Sequence, residues 1–308
     1  MSCRRKYIWL LFASLQFTQA LPATIYGQRE ERAALEKIEG AMAVARGEQV
    51  YTRACAPCHG ANGDGKGPFS KALFPKPRDF RLGKFKFRTT TSRSLPTDED
   101  IFRTISKGIP GTFMPAWEQL LSEKDRMALV QYIKTFSKRF ADSEDSFERI
   151  DVSNEVSYSE VSIAKGSKVY VELECASCHG DKGRGHGPSS RDLKDEWGYP
   201  IRPPDLTKSW KFKGGDTRKD LYYRFMSGLS GTPMPSVAES FALDEEIQEI
   251  QIRIEDGEVV TAEERKRFDE AMAEIRQKVW HLTNYVKSLS KEPGLFYRLF
   301  VEDTEVTK

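Results

Sequence analysis

The sequence CAPCHGANGDGKGP at residues 55–68 recurs as CASCHGDKGRGHGP at residues 175–188, displaced by 120 residues (175 − 55). The same displacement carries GTFMP at residues 111–115 onto GTPMP at residues 231–235. Self-similarity at a fixed offset indicates two copies of one structural unit. The chain has 308 residues, which is enough for about two domains. The sequence therefore predicts a tandem of two related domains, each carrying one C-x-x-C-H motif.

The C-x-x-C-H motif is the attachment signature of c-type haem. Its two thiols form thioethers with the porphyrin, and the adjacent imidazole is placed to bind the iron. A single motif would also suit a zinc half-site or a redox C-x-x-C pair, but two in register, each followed by its own Met-Pro, favour haem. The sequence predicts two covalently bound haem c groups. The predicted attachment cysteines are Cys55, Cys58, Cys175 and Cys178, and the predicted iron ligands are His59 and His179.

The N-terminus has the pattern of an export signal. Three basic residues, Arg4 to Lys6, precede an apolar stretch from Tyr7 to Phe17 and a small residue at Ala20. This pattern predicts a signal peptide at residues 1–20, cleaved after Ala20. The alternative is an uncleaved anchor, although a membrane-spanning helix needs about 20 apolar residues. Either interpretation predicts an exported, periplasmic protein, and the anchor would make it membrane-associated.

The cysteine count and the net charge exclude several other classes of function. Of the five cysteines, four lie in the two motifs and Cys3 lies in the predicted signal peptide, which leaves no thiol for a disulfide or a nucleophile. The formal net charge is +2, and loss of the three basic signal residues takes it to −1. A nearly neutral protein gives no reason to expect a nucleic-acid partner.

Each repeat is predicted to begin and end with a helix. Residues 45–51 and 164–170 lead into the two motifs, and residues 128–137 resemble residues 281–290. Thr97, followed by three acidic residues, marks a further helix start. The stretch 138–160 has no sustained apolar period. We predict a first domain at 28–137, a linker at 138–160, and a second domain at 161–308 with an insertion at about 244–279.

The insertion leaves two questions open: the secondary structure of its first half, and the packing of the helix in its second half. Alternating Ile250, Ile252 and Ile254 before Asp256-Gly257 favour a small hairpin, with a short helix as the alternative. Thr261 then opens a capping box, followed by apolar positions at alternating spacings of 4 and 3 that predict one long amphipathic helix. We expect this helix to pack on its own insertion. The alternative is a coiled-coil contact with a partner through residues 262–289.

The arrangement resembles class I cytochrome c, twice over, across most of residues 45–137 and 164–290. The resemblance implies an all-α fold: two tandem class I cytochrome c domains with irregular haem-binding loops, the second carrying an insertion and a long helix. It also implies Met114 and Met234 as second iron ligands, each 55 residues after its histidine (114 − 59 and 234 − 179). Met226 is the rival in the second domain. In the family a proline carbonyl holds the other nitrogen of the histidine, and the matching candidates are Pro68 and Pro188.

A His/Met-ligated iron is filled on both faces and suits one-electron transfer. We therefore expect an exported di-haem electron carrier, not an enzyme, that relays single electrons between redox protein partners. The alternatives are a di-haem peroxidase-type enzyme, which needs an open iron position, and an electron-transfer subunit of a membrane respiratory complex. The sequence does not identify the electron donor or acceptor.

The loop after the first motif is strongly basic. Between residues 66 and 93 it holds nine basic residues and one acid, Asp79. Such a cluster can steer an acidic redox partner. The alternative is that some of these residues, with Trp117, bond the haem propionates.

Overall fold

The computed structural model describes residues 22–142 and 147–291. This part of the chain is helical, without strands apart from two isolated β-bridges. Its nine α-helices are α1 (Pro22–Ala54), α2 (Ala56–His59), α3 (Asp98–Lys107), α4 (Glu123–Lys134), α5 (Glu160–Glu172), α6 (Ala176–His179), α7 (Arg218–Ser227), α8 (Glu245–Glu255) and α9 (Ala262–Ser288). The predicted signal peptide 1–20 lies outside the described residues. No helix of the described part is long and apolar enough to span a bilayer.

The described residues before Ala43, which begin at Pro22, belong to a unit separate from the rest of the chain. Within their part of α1, Leu35, Ile38 and Met42 are exposed. These apolar residues recur at helical spacing and therefore share one face of the helix.

A glycine sets the crossing of the first and last helices in each repeat. A methyl group on Gly47 of α1 would overlap the carbonyl oxygen of Ala128 in α4, and one on Gly166 of α5 would overlap that of His281 in α9. Only glycine allows backbones to approach so closely. The predicted opening and closing helices of each repeat are therefore in direct contact.

The first core lies between α1, α3 and α4. It is built from buried side chains that include Tyr51, Ile101, Leu129 and Ile133. The second core has the same plan with α5, α7 and α9, and it buries Trp280 against Tyr222 with ring centroids 4.1 Å apart. Both motifs contact these cores: Cys55 belongs to the first, and Cys175 packs against the second.

The helix α3 begins where the sequence predicted. The Thr97 hydroxyl accepts a hydrogen bond from Asp100 N, and the Asp100 carboxylate accepts one from Thr97 N. Thr217 and Asp220 form the same capping box at the start of α7. Such a box satisfies two donors of the first helical turn, which otherwise lack partners.

The insertion contains a helix, so the prediction of a hairpin was wrong. Asp244 caps α8 by accepting a hydrogen bond from Ile247 N. Ile247 and Ile250 are buried, whereas Ile252 is 58% exposed. Because residues 250 and 252 lie on different faces of a helix but on the same face of a strand, this burial is helical.

The long helix α9 packs within its own domain. Its capping box at Thr261 and Glu264 is present as predicted. Arg267 pairs with Glu246 of α8, and the apolar seam buries Ile275 and Val279 in the second core. This internal packing is the interpretation that the sequence favoured, and it uses apolar residues that the alternative, a coiled-coil contact through 262–289, would need.

The described part of the predicted linker contacts both repeats. Ile150 N donates to Thr89 O at 2.9 Å, and Arg149 forms an isolated bridge with Thr90 of the first repeat. The Ile150 side chain is buried in the second core. A stretch without an apolar period is thus held at both sides by backbone hydrogen bonds and one buried side chain.

The two repeats also touch directly. Arg88, almost fully buried in the first repeat, donates from Nη2 to Ser227 O at 2.8 Å and from Nη1 to Ser230 Oγ. Ser227 ends α7, so the guanidinium lies at the negative end of that helix. Arg103 adds an ion pair with Asp220 at 2.9 Å.

Two candidate haem sites

Each C-x-x-C-H motif forms a single helical turn. His59 N donates to Cys55 O at 2.8 Å, and His179 N donates to Cys175 O at 2.9 Å. Residues three and four apart share one face of a helix, so the turn gathers both cysteines and the histidine of each motif. The structure therefore brings Cys55, Cys58 and His59 together, and likewise their counterparts in the second repeat.

The glycines after each motif fold the loop back onto it. Gly60 and Gly180 have φ values of 79° and 75°, a region that favours glycine. Gly65 N donates to His59 O at 2.8 Å, and Gly67 N donates to Cys58 O at 3.2 Å. The second loop repeats these bonds at Gly185 and Gly187, with distances of 2.8 and 3.1 Å.

None of the four motif cysteines forms a disulfide. Burial raises the pKa of Cys55 to about 12 and that of Cys175 to about 11. A redox-active cysteine works as a thiolate and needs a lowered pKa, so the raised pKa values argue against a redox C-x-x-C pair. Among the described residues, no three side chains of the His, Cys, Asp and Glu types are placed so that they alone could hold a metal ion. The donor set therefore fits a porphyrin that brings its own four nitrogens to the iron.

Both motif histidines are held neutral. Burial lowers the pKa of His59, and its Nδ1 lies 3.2 Å from Arg78 O. Burial also lowers the pKa of His179, while the carbonyl of Pro204 acts in the opposite direction. That carbonyl lies beside the ring without completing a hydrogen bond, since His179 Nδ1 is buried without a partner. A neutral imidazole is the form that binds a metal.

The prediction that Pro68 and Pro188 hold these histidines was wrong. Each proline instead begins a 3-10 turn directly after the glycine loop, over Pro68–Ala72 and Pro188–Ser190. Proline suits such a first position because it lacks an N–H that would need an acceptor. The carbonyl acceptors come from a later loop, PRDF at residues 77–80 and PPDL at residues 203–206.

This later loop is tied to the first one in both repeats. Phe80 N donates to Gly63 O at 2.7 Å, and Leu206 N donates to Gly183 O at 2.6 Å. Phe80 also stacks on the His59 ring, with centroids 4.6 Å apart. The P-x-D pattern shared by the two loops could have identified these residues in the sequence. It was missed because the two copies are 126 residues apart (204 − 78), whereas the motifs are 120 residues apart.

A tyrosine in each opening helix is a further site residue that the sequence reasoning did not assign to the haem site. Tyr51 Oη donates to Gly60 O at 2.8 Å, and Tyr170 Oη donates to Gly180 O at 2.7 Å. Both side chains are buried. Their matched positions before the two motifs were visible in the sequence, but their hydrogen bonds were not.

The two methionine loops have the same conformation. Ile109 N donates to Met114 O at 3.0 Å, and Met114 N donates to Thr112 Oγ1 at 3.1 Å. Leu229, Thr232 and Met234 repeat both bonds, at 3.0 and 3.3 Å. These threonine and backbone bonds fix how each methionine is presented.

In the second repeat, Met234 and Cys175 pack against the same core. The rival Met226 lies in α7 and also contacts this core. At the 120-residue offset Met226 corresponds to Ser106, which cannot ligate iron as a thioether. Met114 and Met234 therefore share a position and a loop, and Met226 has no counterpart.

Buried donors around the sites lack acceptors within the protein. Among the described residues, Trp117 Nε1 and Arg78 Nη1 have no hydrogen-bond partner. Burial lowers the pKa of Arg78 to about 10, and burial followed by the charge of Arg78 lowers that of Lys86 to about 8. Buried cations and donors need an anionic or polar partner. The two carboxylates of a haem supply such a partner, so these residues fit the group.

Comparisons with known proteins agree with this geometry. A family model described as cytochrome c oxidase, cbb3-type, subunit III matches residues 42–133, and one described as cytochrome c matches residues 163–252. A chain in a solved structure described as a reducing HAO-like protein complex of Kuenenia stuttgartiensis is 41% identical, with a TM-score of 0.65. The match covers 80% of this chain and 96% of that chain. The comparison with curated proteins gave no match.

The chain belongs to the cytochrome c family. It is a di-haem c-type electron-transfer cytochrome, built from two class I domains in tandem. The predictions of an all-α tandem fold and of two covalent haem c groups are confirmed. When bound, each haem supplies an iron that changes by one electron. The cysteines of each motif would attach the haem, and the motif histidine, held neutral, would bind its iron.

Proposed function

We propose that this cytochrome is an exported carrier whose two haems are each ligated by a histidine and a methionine. His59 and Met114 serve the first haem, and His179 and Met234 serve the second. The observation that carries the proposal is the pair of matched G-T-x-M-P loops. In each loop a threonine hydroxyl accepts from the methionine N–H, and a backbone N–H donates to the methionine carbonyl. A thioether opposite an imidazole favours ferrous iron and raises the reduction potential.

An iron whose ligand positions are both occupied by protein side chains favours electron transfer over reaction with peroxide. A peroxidase needs an open or displaceable position on the iron with an acid–base residue above it. The matched loops offer a methionine to both sites, so neither domain is specialised as the open one. We propose that the protein relays single electrons between redox protein partners and does not turn over a substrate.

Its setting is an assembly of redox proteins outside the cytoplasmic membrane. The signal pattern at residues 1–20 supports export. The 41% identical relative is a chain of a protein complex, which supports a second candidate, a subunit that passes electrons within such an assembly. Both candidates use the same two irons and differ in whether the partner is bound permanently. Purification of the native protein with whatever accompanies it separates them.

Carbon monoxide binding to the reduced protein tests the ligation. The unmutated protein should bind carbon monoxide poorly, because both iron positions are filled. Met234→Ala should open the second haem alone and give binding at about half of the sites, while the first keeps its methionine-ligated spectrum. Ready binding or peroxide turnover by the unmutated protein would favour the peroxidase alternative.

Met226→Ala is the matched control for that experiment. Met226 is a partly buried methionine that contacts the same core, so its loss has a similar packing cost. We expect the Met226→Ala protein to keep both methionine-ligated spectra. If it opens the second haem while Met234→Ala does not, the ligand is Met226. Mass determination of the mature N-terminus, expected near Leu21, tests export separately.

A further inference from the structure

Arg78 differs from its counterpart in the second repeat in one respect. Both Arg78 and Pro204 place a backbone carbonyl beside a motif histidine. Pro204 has no long side chain, whereas Arg78 carries a guanidinium that reaches the second repeat. That guanidinium lies over the Trp197 ring in the second repeat, 4.6 Å from its centroid.

The partner of Arg78 is itself tied to a methionine loop. Trp197 N donates to Asp195 Oδ1 at 3.1 Å, and the neighbouring Glu196 N donates to Gly231 O at 3.3 Å. Gly231 opens the G-T-P-M-P loop that presents Met234. A methyl group on Gly231 would lie 2.7 Å from the Trp197 ring and 3.2 Å from Arg78 Nη1. The guanidinium, the indole and this loop are therefore in mutual contact.

A buried arginine stacked on an aromatic ring is a rigid connection. The planar guanidinium keeps a defined orientation on the ring face, and a flexible ammonium does not. Lys84 and Glu196 add an ion pair at 2.7 Å across the same boundary. The side chain of Arg78 is thus anchored in the second domain while its carbonyl faces His59 in the first.

We propose that Arg78 is a positioning residue that couples the two haem sites, with its carbonyl orienting His59 and its guanidinium anchored on Trp197 beside the Met234 loop. The proposal rests on His59 being an iron ligand, which is part of the proposed function. The coupling acts on the first haem, because Pro204 offers no equivalent reach from the second domain.

The carbonyl affects the potential through the imidazole. A hydrogen bond from Nδ1–H to a carbonyl makes the imidazole a stronger donor, which favours ferric iron and lowers the reduction potential. Loss of the anchor on Trp197 leaves the carbonyl less well placed and weakens this bond. The midpoint potential of the first haem then rises, although no residue of its own domain has changed.

The test compares Trp197→Leu with Tyr199→Leu in the full-length di-haem protein. Tyr199 is the matched control, because it lies in the same loop and Lys76 Nζ sits 5.7 Å from its ring centroid, but Lys76 does not face a histidine. Proton NMR at graded potentials follows each axial methionine methyl and gives the two midpoints separately. Trp197→Leu should raise the midpoint of the first haem, and Tyr199→Leu should leave it unchanged.

A double-mutant cycle with Arg78→Lys decides whether the effect runs through Arg78. Lysine keeps the positive charge and the backbone carbonyl but loses the planar stack. In the Arg78→Lys protein, Trp197→Leu should produce no further shift of the first midpoint. An equal shift in both backgrounds, or no shift in either, would overturn the proposal. Should Trp197→Leu fail to fold, Trp197→Phe replaces it, with a smaller shift expected in the same direction.

A second measurement tests the coupling through Arg78 independently of the proposed methionine ligands. Exchange of the His59 Nδ1–H with solvent reports the hydrogen bond to Arg78 O directly, whichever methionine binds iron. Exchange should quicken in Trp197→Leu and not in Tyr199→Leu. Absent methionine methyl signals would contradict the proposed ligation, and unchanged exchange in Trp197→Leu would contradict the coupling.

Discussion

The substitution Gly47→Ala tests the helix crossing on which the first haem domain depends. A methyl group here would overlap Ala128 O and would lie 2.7 Å from Tyr132 Cβ, where ordinary contact begins at 3.4 Å. The obstacle is a backbone carbonyl and a Cβ, neither of which can rotate away. The helices must therefore separate by at least about 0.7 Å (3.4 − 2.7).

Such overpacking lowers the free energy of unfolding by about 1–3 kcal/mol. Alanine offsets about 0.5–1 kcal/mol of this, because it is a better helix former than glycine. Because backbone resists, we take the upper part of the range and expect a net loss of about 2 kcal/mol. For a domain of about 100 residues, a loss of about 2 kcal/mol lowers Tm by roughly 8–16 °C. Thermal unfolding followed by circular dichroism measures the shift, and the methionine–iron absorption band reports whether the haem site is displaced with it.

Gly40→Ala is the control, because a methyl group at this position in the same helix meets nothing within 4 Å. It should stabilise by up to about 1 kcal/mol. If Gly47→Ala behaves like Gly40→Ala, α1 and α4 do not cross as described.

Three further outcomes are expected. Arg88→Met leaves the buried Ser227 carbonyl without its charged donor and should destabilise by about 2–3 kcal/mol; a urea midpoint within error of the unmutated protein would contradict this. The two haems should titrate with different midpoints, because Trp117 in the first site is replaced by the buried Val237 in the second; a single midpoint for both would contradict it. Denaturing mass spectrometry should give a mass excess of two haems over the chain, and an excess of one haem would refute double attachment.

The sequence correctly predicted those parts of the fold that are specified by residues close together in the chain. A capping box needs only Thr97 and Asp100, three residues apart, and the structure has it. The C-x-x-C-H motif is itself one helical turn, so its three functional residues were grouped correctly. Met114 and Met234 lie at equal spacing from their histidines, and the structure gives their two loops the same hydrogen bonds.

The parts that it missed depend on distant segments. The carbonyls of Arg78 and Pro204 reach the histidines from a loop whose offset is changed by six residues (126 − 120), which hides it from the repeat register. The isoleucine alternation in the insertion indicated a strand, but burial of Ile247 and Ile250 against the rest of the domain and the Asp244 cap select a helix. Contacts between domains, such as that of Arg78 with Trp197, leave no periodic trace in either segment.

The contacts of the linker with both domains affect the rate of electron exchange between the two haems. Thr90 pairs with Arg149 on one side, and Ile150 is buried on the other, so the two domains are not free to search for each other. Domains joined only by a flexible tether exchange electrons at a rate limited by their diffusion. Here the separation of the two motifs is fixed by the fold. Electron exchange between the haems should therefore keep its rate in viscous solution, while the meeting with an external partner slows.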